Sequence, residues 1–478
     1  MTALGVSDWL VSVSPADPAD EIGRFPLAGT PQVEAAVARA RRAFPAWRDA
    51  GFEARARILR RFADLAREGS EDLARLIARE VGKALWDARA EAALVASKVE
   101  LTLEHGMRHV APIEAGPGAR AEYWPRGVLA VLGPFNFPAH LPNGHIVPAL
   151  ATGNSVVLKP SELAPATADW MARTWQKAGL PEGVLEIVQG RAATGSALAL
   201  HLDVDGVLFT GSYPTGRALE QALIDQPGKL LALEMGGKNA IVVLDDADLE
   251  LAVAESALSI CASTGQRCSS ASRLFVARGV LDEYLARLLR VLRGVQIGPP
   301  LADGVFMGPL VSQAAHAKLM HYRALASDAG GERLLAVDPG RPAPFAGAGL
   351  VRFASTQQEH AYQRDEIFGP EAALYPIDDL DSAIAAVNDS DFGLAASVFT
   401  RDHNLFERCI GRVRTGLLNW NRGTIGASGK LPFGGARRSG NDRPAGILST
   451  LYCTTPQARL EHPGGFDPAT LPPGMPRP

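Results

Sequence analysis

Short apolar runs recur along the chain from about residue 126, and turns or stretches with helical spacing separate them. Runs of this length are typical of strands that are buried on both faces. The first six runs cover residues 128–132, 156–158, 185–188, 207–209, 230–233 and 241–244. Because buried strands alternate with helices here, the pattern predicts a parallel, doubly wound α/β sheet. Such a sheet binds ligands beyond the carboxyl ends of its strands.

Two flanking regions extend this pattern. Before residue 126, Thr30 and Pro31 predict a helix cap and first turn, and Gly69 followed by Ser70 predicts a stop and a restart. Between these points, apolar residues recur at helical spacing at Ile58, Leu59, Phe62, Leu65 and Ala66. Beyond residue 270, a second α/β domain is predicted by apolar runs at residues 274–276, 373–375, 397–399 and 417–418.

Composition and charge restrict the possible classes of protein. A chain of 478 residues, 47% of them hydrophobic, can bury two or three domain cores. A net charge of -4 leaves no broad basic surface for nucleic acid or an anionic membrane. The opening residues lack a basic segment followed by an apolar core, and no apolar stretch reaches the roughly eighteen residues of a membrane span. We therefore expect a cytoplasmic protein that binds neither nucleic acid nor membrane.

The four cysteines are too scattered for a disulfide framework, and none of them forms the CxxC pair typical of zinc sites. We therefore expect no metal. Cys409 and Cys453 lie among apolar or turn residues, where a free cysteine usually packs as a small hydrophobe.

A rigid turn, GPFNFP, follows the first predicted strand and presents the amide side chain of Asn136. An amide N–H held at this place could donate to a developing oxyanion. The alternative is that Asn136 only caps the helix that follows, and this segment alone does not decide between the two interpretations.

A cation and a carboxylate, Lys159 and Glu162, follow the second predicted strand. Lys159 can donate to sugar hydroxyls. Glu162 can accept a hydrogen bond from a free 2′-hydroxyl and would repel a 2′-phosphate, which favours NAD over NADP. The alternative is a solvated surface pair at a strand end.

A glycine-containing turn follows the fourth predicted strand, where Gly211 and Gly216 flank Ser212. A helix is predicted to begin near Thr215, and helix starts bind phosphate oxygens. The GxGxxG pattern of dinucleotide sites is missing, so this turn indicates a phosphate site only together with its neighbours.

The most specific pair of residues is Glu234 and Cys268, which lie 34 positions apart, far enough for an intervening strand and helix. Glu234 ends a predicted strand beside two glycines, which let other backbone approach closely. A thiolate near a helix start or a cation has a lowered pKa and attacks carbonyls, whereas a carboxylate in an apolar site can act as a general base near neutral pH. Cys261 is the alternative nucleophile, although its apolar neighbours favour a packed role.

Seven short segments occur in order along the chain: FNFP, KPSE, FTGS, LEMGG, GQRC, EIFGP and PFGG. Together they resemble the conserved blocks of the NAD(P)-dependent aldehyde dehydrogenase superfamily, and the resemblance covers about residues 10 to 460. It implies that Cys268 is the nucleophile, that Glu234 is the general base, and that Asn136 forms the oxyanion hole with the Cys268 backbone N–H. It also implies cofactor contacts: Lys159 and Glu162 with the adenosine ribose, Ser212 with the pyrophosphate, Glu366 with the nicotinamide ribose, and Phe368 beside the nicotinamide.

The resemblance also implies the domain organisation. Residues 1–102 and 125–236 would form a Rossmann-type NAD-binding domain, residues 237–446 an α/β catalytic domain, and residues 103–124 and 447–462 a small oligomerisation flap. The proline- and glycine-rich residues 463–478 would form a flexible tail. A flap of this kind implies a homodimer or a homotetramer.

The implied activity is the NAD-dependent oxidation of a small aldehyde to a carboxylate, through a thiohemiacetal and a thioester on Cys268. Residues 133–162 and 419–444 most resemble the branch of the superfamily that oxidises a semialdehyde of arginine catabolism. Positions around Lys238, Ala240, 429–431, 436 and 437 depart from that branch. The candidates for binding an anionic substrate are Arg267, Arg437 and Arg443, whose alternative role is in structural ion pairs.

Three other functions stay open. The chain could oxidise a different aldehyde. It could be a CoA-acylating dehydrogenase, although that branch generally lacks a base at the position of Glu234. It could also be a non-catalytic binding protein, which would be expected to have lost Cys268, Glu234 or Asn136, all of which are present.

Overall fold

Two large sheets organise this chain, and the computed structural model describes them within residues 9–356, 360–462, 464, 465 and 467–477. The first sheet has five parallel strands in the spatial order Leu185–Ile187, Ser155–Lys159, Val128–Leu132, Gly206–Gly211 and Leu230–Met235. In chain order this arrangement is 3-2-1-4-5, so the direction of winding reverses between the first and the fourth strand. Ligands of doubly wound sheets bind in the crevice at such a reversal.

The second sheet has seven strands in the order Glu332–Ala336, Gly349–Arg352, Glu371–Ile377, Ala271–Ala277, Asn239–Val243, Ala395–Phe399 and Leu417–Trp420. Its first two strands are antiparallel and the others are parallel. All ten apolar runs expected from the sequence overlap strands of these two sheets. The predicted α/β fold class is therefore confirmed.

Both sheets are buried on their two faces, which explains their continuous apolar runs. In the first sheet, Leu129 and Val131 pack into one hydrophobic cluster, whereas Val128 and Ala130 pack into another. The second sheet divides its alternate residues between two further clusters in the same way. Successive side chains of a strand point to opposite faces, so each sheet separates two cores.

Four smaller sheets complete the strands. One is antiparallel and contains Ile113–Glu114, Ala119–Pro125 and Thr454–Leu460. The paired strands of the other three are Trp9–Val13 with Glu21–Pro26, Phe392–Gly393 with Ala436–Arg437, and Pro432–Phe433 with Ala445–Gly446. The three-stranded sheet falls largely within the expected flap, whose role in oligomerisation stays a prediction, as do the domain boundaries. Residues 1–8, 357–359, 463, 466 and 478 of the expected domains and tail lie outside the described residues.

The helices that cover the sheets are Thr30–Asp49, Phe52–Glu68, Ser70–Val81, Leu85–Glu100, His140–Ala151, Pro165–Lys177, Ala192–Leu200, Tyr213–Ala222, Leu249–Cys261, Leu281–Gly294, Gln313–Asp328, Ala361–Arg364, Leu380–Asn388, His403–Glu407 and Ser449–Tyr452. Leu101–His105 forms a π-helical turn, and the 3₁₀ turns are Gly106–Val110, Ala262–Gly265 and Pro468–Thr470. Across the described ranges, no helix combines the length and the apolar character needed to cross a membrane.

The expected helix stop and restart at Gly69 is confirmed, because one helix ends at Glu68 and the next begins at Ser70. The expected cap at Thr30 is wrong by one residue. The cap is Gly29, whose backbone N–H donates to the Gln32 side chain at 3.0 Å, and Thr30 is the first helical residue. A glutamine at the third position of a helix can accept a hydrogen bond from the backbone N–H of the cap residue, as Gln32 does from Gly29. The cap residue therefore needs no side chain of its own.

Asn154 connects three parts of the first domain. Its Oδ1 accepts from the backbone N–H of Gly127 at 2.9 Å, ahead of the central strand. Its Nδ2 donates to the carbonyl of Ala149 at 3.2 Å, in the helix before it, and to the carbonyl of Cys453 at 2.9 Å, beside the strand Thr454–Leu460. The Asn154 side chain is fully buried. Without it, water could not reach these backbone groups to form the lost hydrogen bonds.

Asn154→Ala should therefore lower the free energy of unfolding by roughly 3 kcal/mol, because it leaves buried backbone groups without partners. Urea denaturation at one protein concentration measures the change. The control is Gln221→Ala, at an exposed helical position, which should shift the free energy by no more than about 0.5 kcal/mol. Equal midpoints for the two variants would contradict this account of Asn154.

Candidate active site

The candidate site lies where the carboxyl edge of the first sheet meets the amino edge of the second. Asn136, Lys159 and Ser212 follow or end strands of the first sheet, as expected from the sequence. Cys268 and Glu366 do not obey this rule, because each precedes a strand of the second sheet. Cys268 therefore lies in a connection that leads from a helix into a strand, whereas the three residues of the first sheet follow or end a strand.

The turn before Cys268 has an unusual backbone. Ser263, Thr264 and Gly265 have φ values of 51°, 56° and 67°, so three consecutive residues are left-handed. A Cβ on Gly265 would lie 2.2 Å from the carbonyl carbon of Gly369, which leaves room for glycine alone. Backbone in this region is costly for residues with side chains and concentrates at functional sites. This turn fixes the direction from which Cys268 enters the site.

Asn239 holds the backbone on the other side of the cysteine. Its Nδ2 donates to the carbonyl of Cys268 at 2.7 Å and to that of Ser270 at 2.9 Å. Its Oδ1 accepts from the backbone N–H of Ala395 at 2.9 Å. Asn239 was not among the site residues expected from the sequence, although an asparagine at the start of a buried strand, directly after two glycines and a lysine, was a signal for it.

The thiol of Cys268 is partly exposed, and its surroundings disfavour the thiolate. Burial, together with the nearby carboxylates of Glu366 and Glu234, raises the pKa of Cys268 to about 12, against the opposing effects of the Ser269 backbone N–H and the Arg267 cation. The expectation of a lowered thiol pKa is therefore wrong for this structure. Burial, reinforced by two nearby carboxylates, outweighs one cation that is engaged elsewhere.

Glu234 has the environment expected of a general base. It lies in the strand Leu230–Met235 and is 6% exposed. Burial raises its pKa well above the ordinary value, opposed only by the Ala445 backbone N–H. Its Oε2 is buried and has no hydrogen-bond partner within the described structure. Glycine at position 434 leaves room for this carboxylate, because a Cβ there would lie 3.0 Å from Oε1.

Asn136 does not cap the helix after it. The helix His140–Ala151 has Ala139 at its cap position, three residues beyond Asn136. The asparagine side chain is 6% exposed. Its amide is therefore buried for a reason other than capping, which favours the oxyanion-donor interpretation.

Aromatic contacts bring the Asn136 turn to the other site segments. The ring of Phe135 meets the ring of Phe368 edge-on at 5.8 Å. The ring of Phe137 lies 5.1 Å from the guanidinium carbon of Arg267, the residue before the cysteine. Asn136 lies between these two phenylalanines, so the turn, the cysteine segment and the EIFGP segment converge.

Glu366 explains the pair of glycines after Glu234. Its Oε1 accepts from the backbone N–H of Gly237 at 3.1 Å, and a Cβ on Gly236 would lie 2.1 Å from its Oε2. Burial raises the pKa of Glu366 to about 7. Phe368, two residues on, has a left-handed φ of 61°.

Lys238 holds the backbone just before Glu366. Its Nζ donates to the carbonyls of Tyr362 at 2.7 Å and Asp365 at 2.6 Å. The side chain is almost fully buried, and burial lowers its pKa to about 7. From the sequence, Lys238 was only a position that departs from the semialdehyde branch of the superfamily. Nothing in the sequence shows which carbonyls its side chain reaches.

Lys159 and Glu162 form an ion pair, and their contact with a ribose stays a prediction. Lys159 Nζ and Glu162 Oε2 are 3.1 Å apart, with side chains 10% and 44% exposed. Burial lowers the pKa of Lys159, and Glu162 opposes this. The lysine is too buried for the solvated surface pair that was the alternative, whereas the carboxylate stays accessible to a ligand.

The FTGS turn lies at the reversal of the first sheet. Its helix is Tyr213–Ala222, two residues earlier than expected, and Ser212 is the cap residue. The Ser212 and Thr215 hydroxyls are 3.1 Å apart. The helix amide groups thus face the crevice between the first and fourth strands, where an anion such as a pyrophosphate is stabilised.

The two glycines of this turn permit close packing. A Cβ on Gly211 would lie 2.4 Å from the ring of Phe209, and one on Gly216 would lie 2.4 Å from the sulfur of Met235. Larger residues would therefore push the helix away from the sheet. The FTGS turn and the Lys159–Glu162 pair lie at the same edge of the first sheet, where ligands of doubly wound sheets bind.

The three arginines considered for an anionic substrate differ in availability. Arg267 pairs with Asp87 at 2.6 Å, and both side chains are largely buried. Arg437 donates to backbone carbonyls of Asn388 and Ser390. Arg443 is exposed and donates to the neighbouring Asp442 carbonyl at 2.9 Å. In the part of the chain that the structure describes, no group of three or more histidine, cysteine or acidic side chains could hold a metal ion.

Comparison with known proteins agrees with this geometry. The sequence pattern of the aldehyde dehydrogenase family matches residues 6–458. N-succinylglutamate 5-semialdehyde dehydrogenase of Burkholderia thailandensis is 43% identical over 455 residues, which cover 94% of this chain and 93% of that protein.

Solved structures give the same result. An NAD-dependent aldehyde dehydrogenase from Sinorhizobium meliloti superposes with a TM-score of 0.90 at 30% identity, covering 98% of this chain and 94% of that one. An NADP-dependent enzyme of E. coli superposes with a TM-score of 0.89 at 33% identity, covering 94% of each chain. The chain therefore belongs to the aldehyde dehydrogenase family.

Proposed function

We propose that this protein oxidises N-succinylglutamate 5-semialdehyde to N-succinylglutamate with NAD, using Cys268 as nucleophile and Glu234 as base. Family membership makes it an oxidoreductase that acts on aldehydes with a nicotinamide cofactor. The observation that carries the residue assignment is the buried Glu234 carboxylate, with an unpartnered oxygen, acting electrostatically on a partly exposed thiol. The substrate assignment rests on the named relatives and on the resemblance of residues 133–162 and 419–444.

The first half-reaction makes a covalent adduct. The sulfur of Cys268 adds to the aldehyde carbon, and the thiol proton leaves to solvent, so that Glu234 stays free to act as base in the second half-reaction. The carbonyl oxygen becomes an oxyanion, which the Asn136 amide and the Cys268 backbone N–H stabilise by donating hydrogen bonds. A nicotinamide cofactor, when bound, would supply the hydride acceptor, and loss of hydride from the adduct would leave a thioester on Cys268.

The second half-reaction releases the product. Glu234 takes a proton from water, the water oxygen attacks the thioester carbon, and the carbon–sulfur bond breaks as the carboxylate forms. A base held in an apolar site is suited to this step near neutral pH. The same base argues against transfer of the acyl group to CoA, and the presence of Cys268, Glu234 and Asn136 argues against a non-catalytic homologue.

Cys268→Ala should abolish NADH formation from N-succinylglutamate 5-semialdehyde, because no other described cysteine combines partial exposure with proximity to Glu234. The assay follows absorbance at 340 nm, with succinate semialdehyde and an uncharged aldehyde for comparison. Cys409→Ala is the matched control and should keep wild-type kcat. Turnover of the uncharged aldehyde alone would refute the substrate, and a requirement for CoA would refute hydrolysis.

Glu234→Gln should slow the steady-state rate by roughly a hundredfold or more while preserving a burst of about one NADH per site, because the thioester still forms but is not hydrolysed. Burial raises the pKa of Glu234, so the ionised base increases as pH rises through that pKa. Wild-type kcat should therefore rise with pH, and the variant should lack this limb. Glu68→Gln, on an exposed helix end, is the control. An unchanged pH profile in Glu234→Gln would refute the role of the base.

Glu162→Ser should raise kcat/KM for NADP relative to NAD by roughly tenfold or more, because it removes a carboxylate that would repel a 2′-phosphate. Initial rates with each cofactor at a saturating aldehyde concentration measure the ratio. Glu68→Ser should leave the ratio unchanged. If the wild-type protein already uses both cofactors equally well, the NAD preference is wrong.

A further inference from the structure

Four charged side chains lie buried beside the candidate site and have no part in the reaction as described. They are Lys83, Asp87, Glu91 and Arg267. Lys83 forms an ion pair with Glu91, and Arg267 forms one with Asp87. The Lys83 and Glu91 side chains are 2% and 0% exposed, and those of Arg267 and Asp87 are 13% and 2% exposed. Asp87 and Glu91 are four residues apart in the helix Leu85–Glu100, so they share one face.

The first pair restrains the cysteine segment. Arg267 Nη2 donates to Asp87 Oδ1 at 2.6 Å, and Ser263 Oγ donates to Asp87 Oδ2 at 2.6 Å. Arg267 Nε also donates to Ser263 Oγ at 3.0 Å. One carboxylate thus holds both the left-handed turn at Ser263 and the residue that immediately precedes Cys268.

The second pair restrains the Asn136 turn. Lys83 Nζ lies 2.5 Å from Glu91 Oε2. The other oxygen of Glu91 accepts from the backbone N–H of Ala139 at 3.0 Å and of His140 at 3.1 Å. These two amides are the first donors of the helix that follows Asn136, so Glu91 fixes where the turn ends.

The Phe137 ring joins the two pairs. Lys83 Nζ lies 3.6 Å from its centroid, and the guanidinium carbon of Arg267 lies 5.1 Å from it. Cations are attracted to the face of an aromatic ring, and the attraction is stronger away from water. Phe137 is the next residue after Asn136, so both cations act directly on the turn that carries the amide.

Because these four charges are buried, each of them needs its partner in place. Buried charges are tolerated only when each has a partner in good geometry. Burial alone would raise the pKa of Asp87, but Lys83, Arg267 and Ser263 together lower it. The ionised form of Asp87 is therefore favoured, and a shift of the cysteine segment would leave this buried charge without its partner.

We propose that Lys83, Asp87, Glu91 and Arg267 form a positioning cluster that fixes the Asn136 amide relative to Cys268. Asn136 and Cys268 lie in segments 132 positions apart, and the cluster connects both to the same helix. This proposal rests on the oxyanion role proposed for Asn136. Because an oxyanion exists only after attack, misplacing the amide should lower kcat and leave the KM for aldehyde nearly unchanged.

A double-mutant cycle tests the cluster. Arg267→Met keeps the apolar stem and removes the ion pair, and Asn136→Ala removes the amide. Each single change should lower kcat, Arg267→Met by roughly tenfold to a hundredfold and Asn136→Ala by roughly a hundredfold or more, with KM within about twofold of wild type. In the Asn136→Ala background, Arg267→Met should cost no more than about twofold in kcat, because no amide is left to misplace.

Companion variants distinguish a misplaced Asn136 amide from a general loss of protein stability. Arg267→Lys retains the charge and should recover part of the lost kcat. Phe137→Leu removes the ring without unbalancing any charge, and it should lower kcat with little change in KM. Arg278→Met removes an arginine from an exposed pair with Asp378 and should keep wild-type kcat. NAD binding, followed by fluorescence, should be unchanged in all of these variants.

The outcomes separate this proposal from the proposed function. If Asn136→Ala keeps wild-type kcat, the oxyanion role fails and the cluster proposal fails with it. If Asn136→Ala loses activity but Arg267→Met and Phe137→Leu do not, only the cluster proposal fails. Equal losses from Arg267→Met in both backgrounds would also overturn it, because the arginine would then act independently of Asn136.

Discussion

The close approach of four segments at Gly236 and Gly237 is the constraint on which the site depends. Only three residues connect the last strand of the first sheet to the strand Asn239–Val243 of the second. A Cβ on Gly237 would lie 2.8 Å from the Cys268 carbonyl oxygen, and one on Gly236 would overlap the Glu366 carboxylate. This short connection brings the edges of two sheets together, so groups from both can act on one substrate atom.

Burial at this junction sets the chemistry of the acidic groups. It is the largest cause of the raised pKa values of Glu234, Glu366 and Cys268 alike. The same low-polarity surroundings therefore make Glu234 a stronger base and keep the resting thiol protonated. Because the three groups also repel one another's charge, the gain of a proton by one carboxylate makes ionisation of the thiol easier.

Much of the fold was accessible from the sequence because the strands of its two large sheets are buried on both faces and some of its helices, such as Phe52–Glu68 and Ser70–Val81, are amphipathic. Apolar runs identified strands in both large sheets, and glycine with serine located the helix boundary after Glu68. The helix at Tyr213 and the cap at Gly29 were misplaced by one or two residues. Both helices begin one or two residues earlier than expected, since the start of a helix depends on backbone direction as well as residue type.

The sequence by itself determined which residues carry reactive groups and which strands bring several of them to a sheet edge. Tertiary structure alone decided that Cys268 enters from the amino edge of the second sheet, that its pKa is raised, and that Asn239 holds its carbonyl. It also decided that Arg267 pairs with Asp87, which lies 180 positions earlier. Local patterns report burial and backbone preference over a few residues. Electrostatic surroundings and ion-pair partners depend on which distant segments meet, and that is settled only when the two sheets pack together.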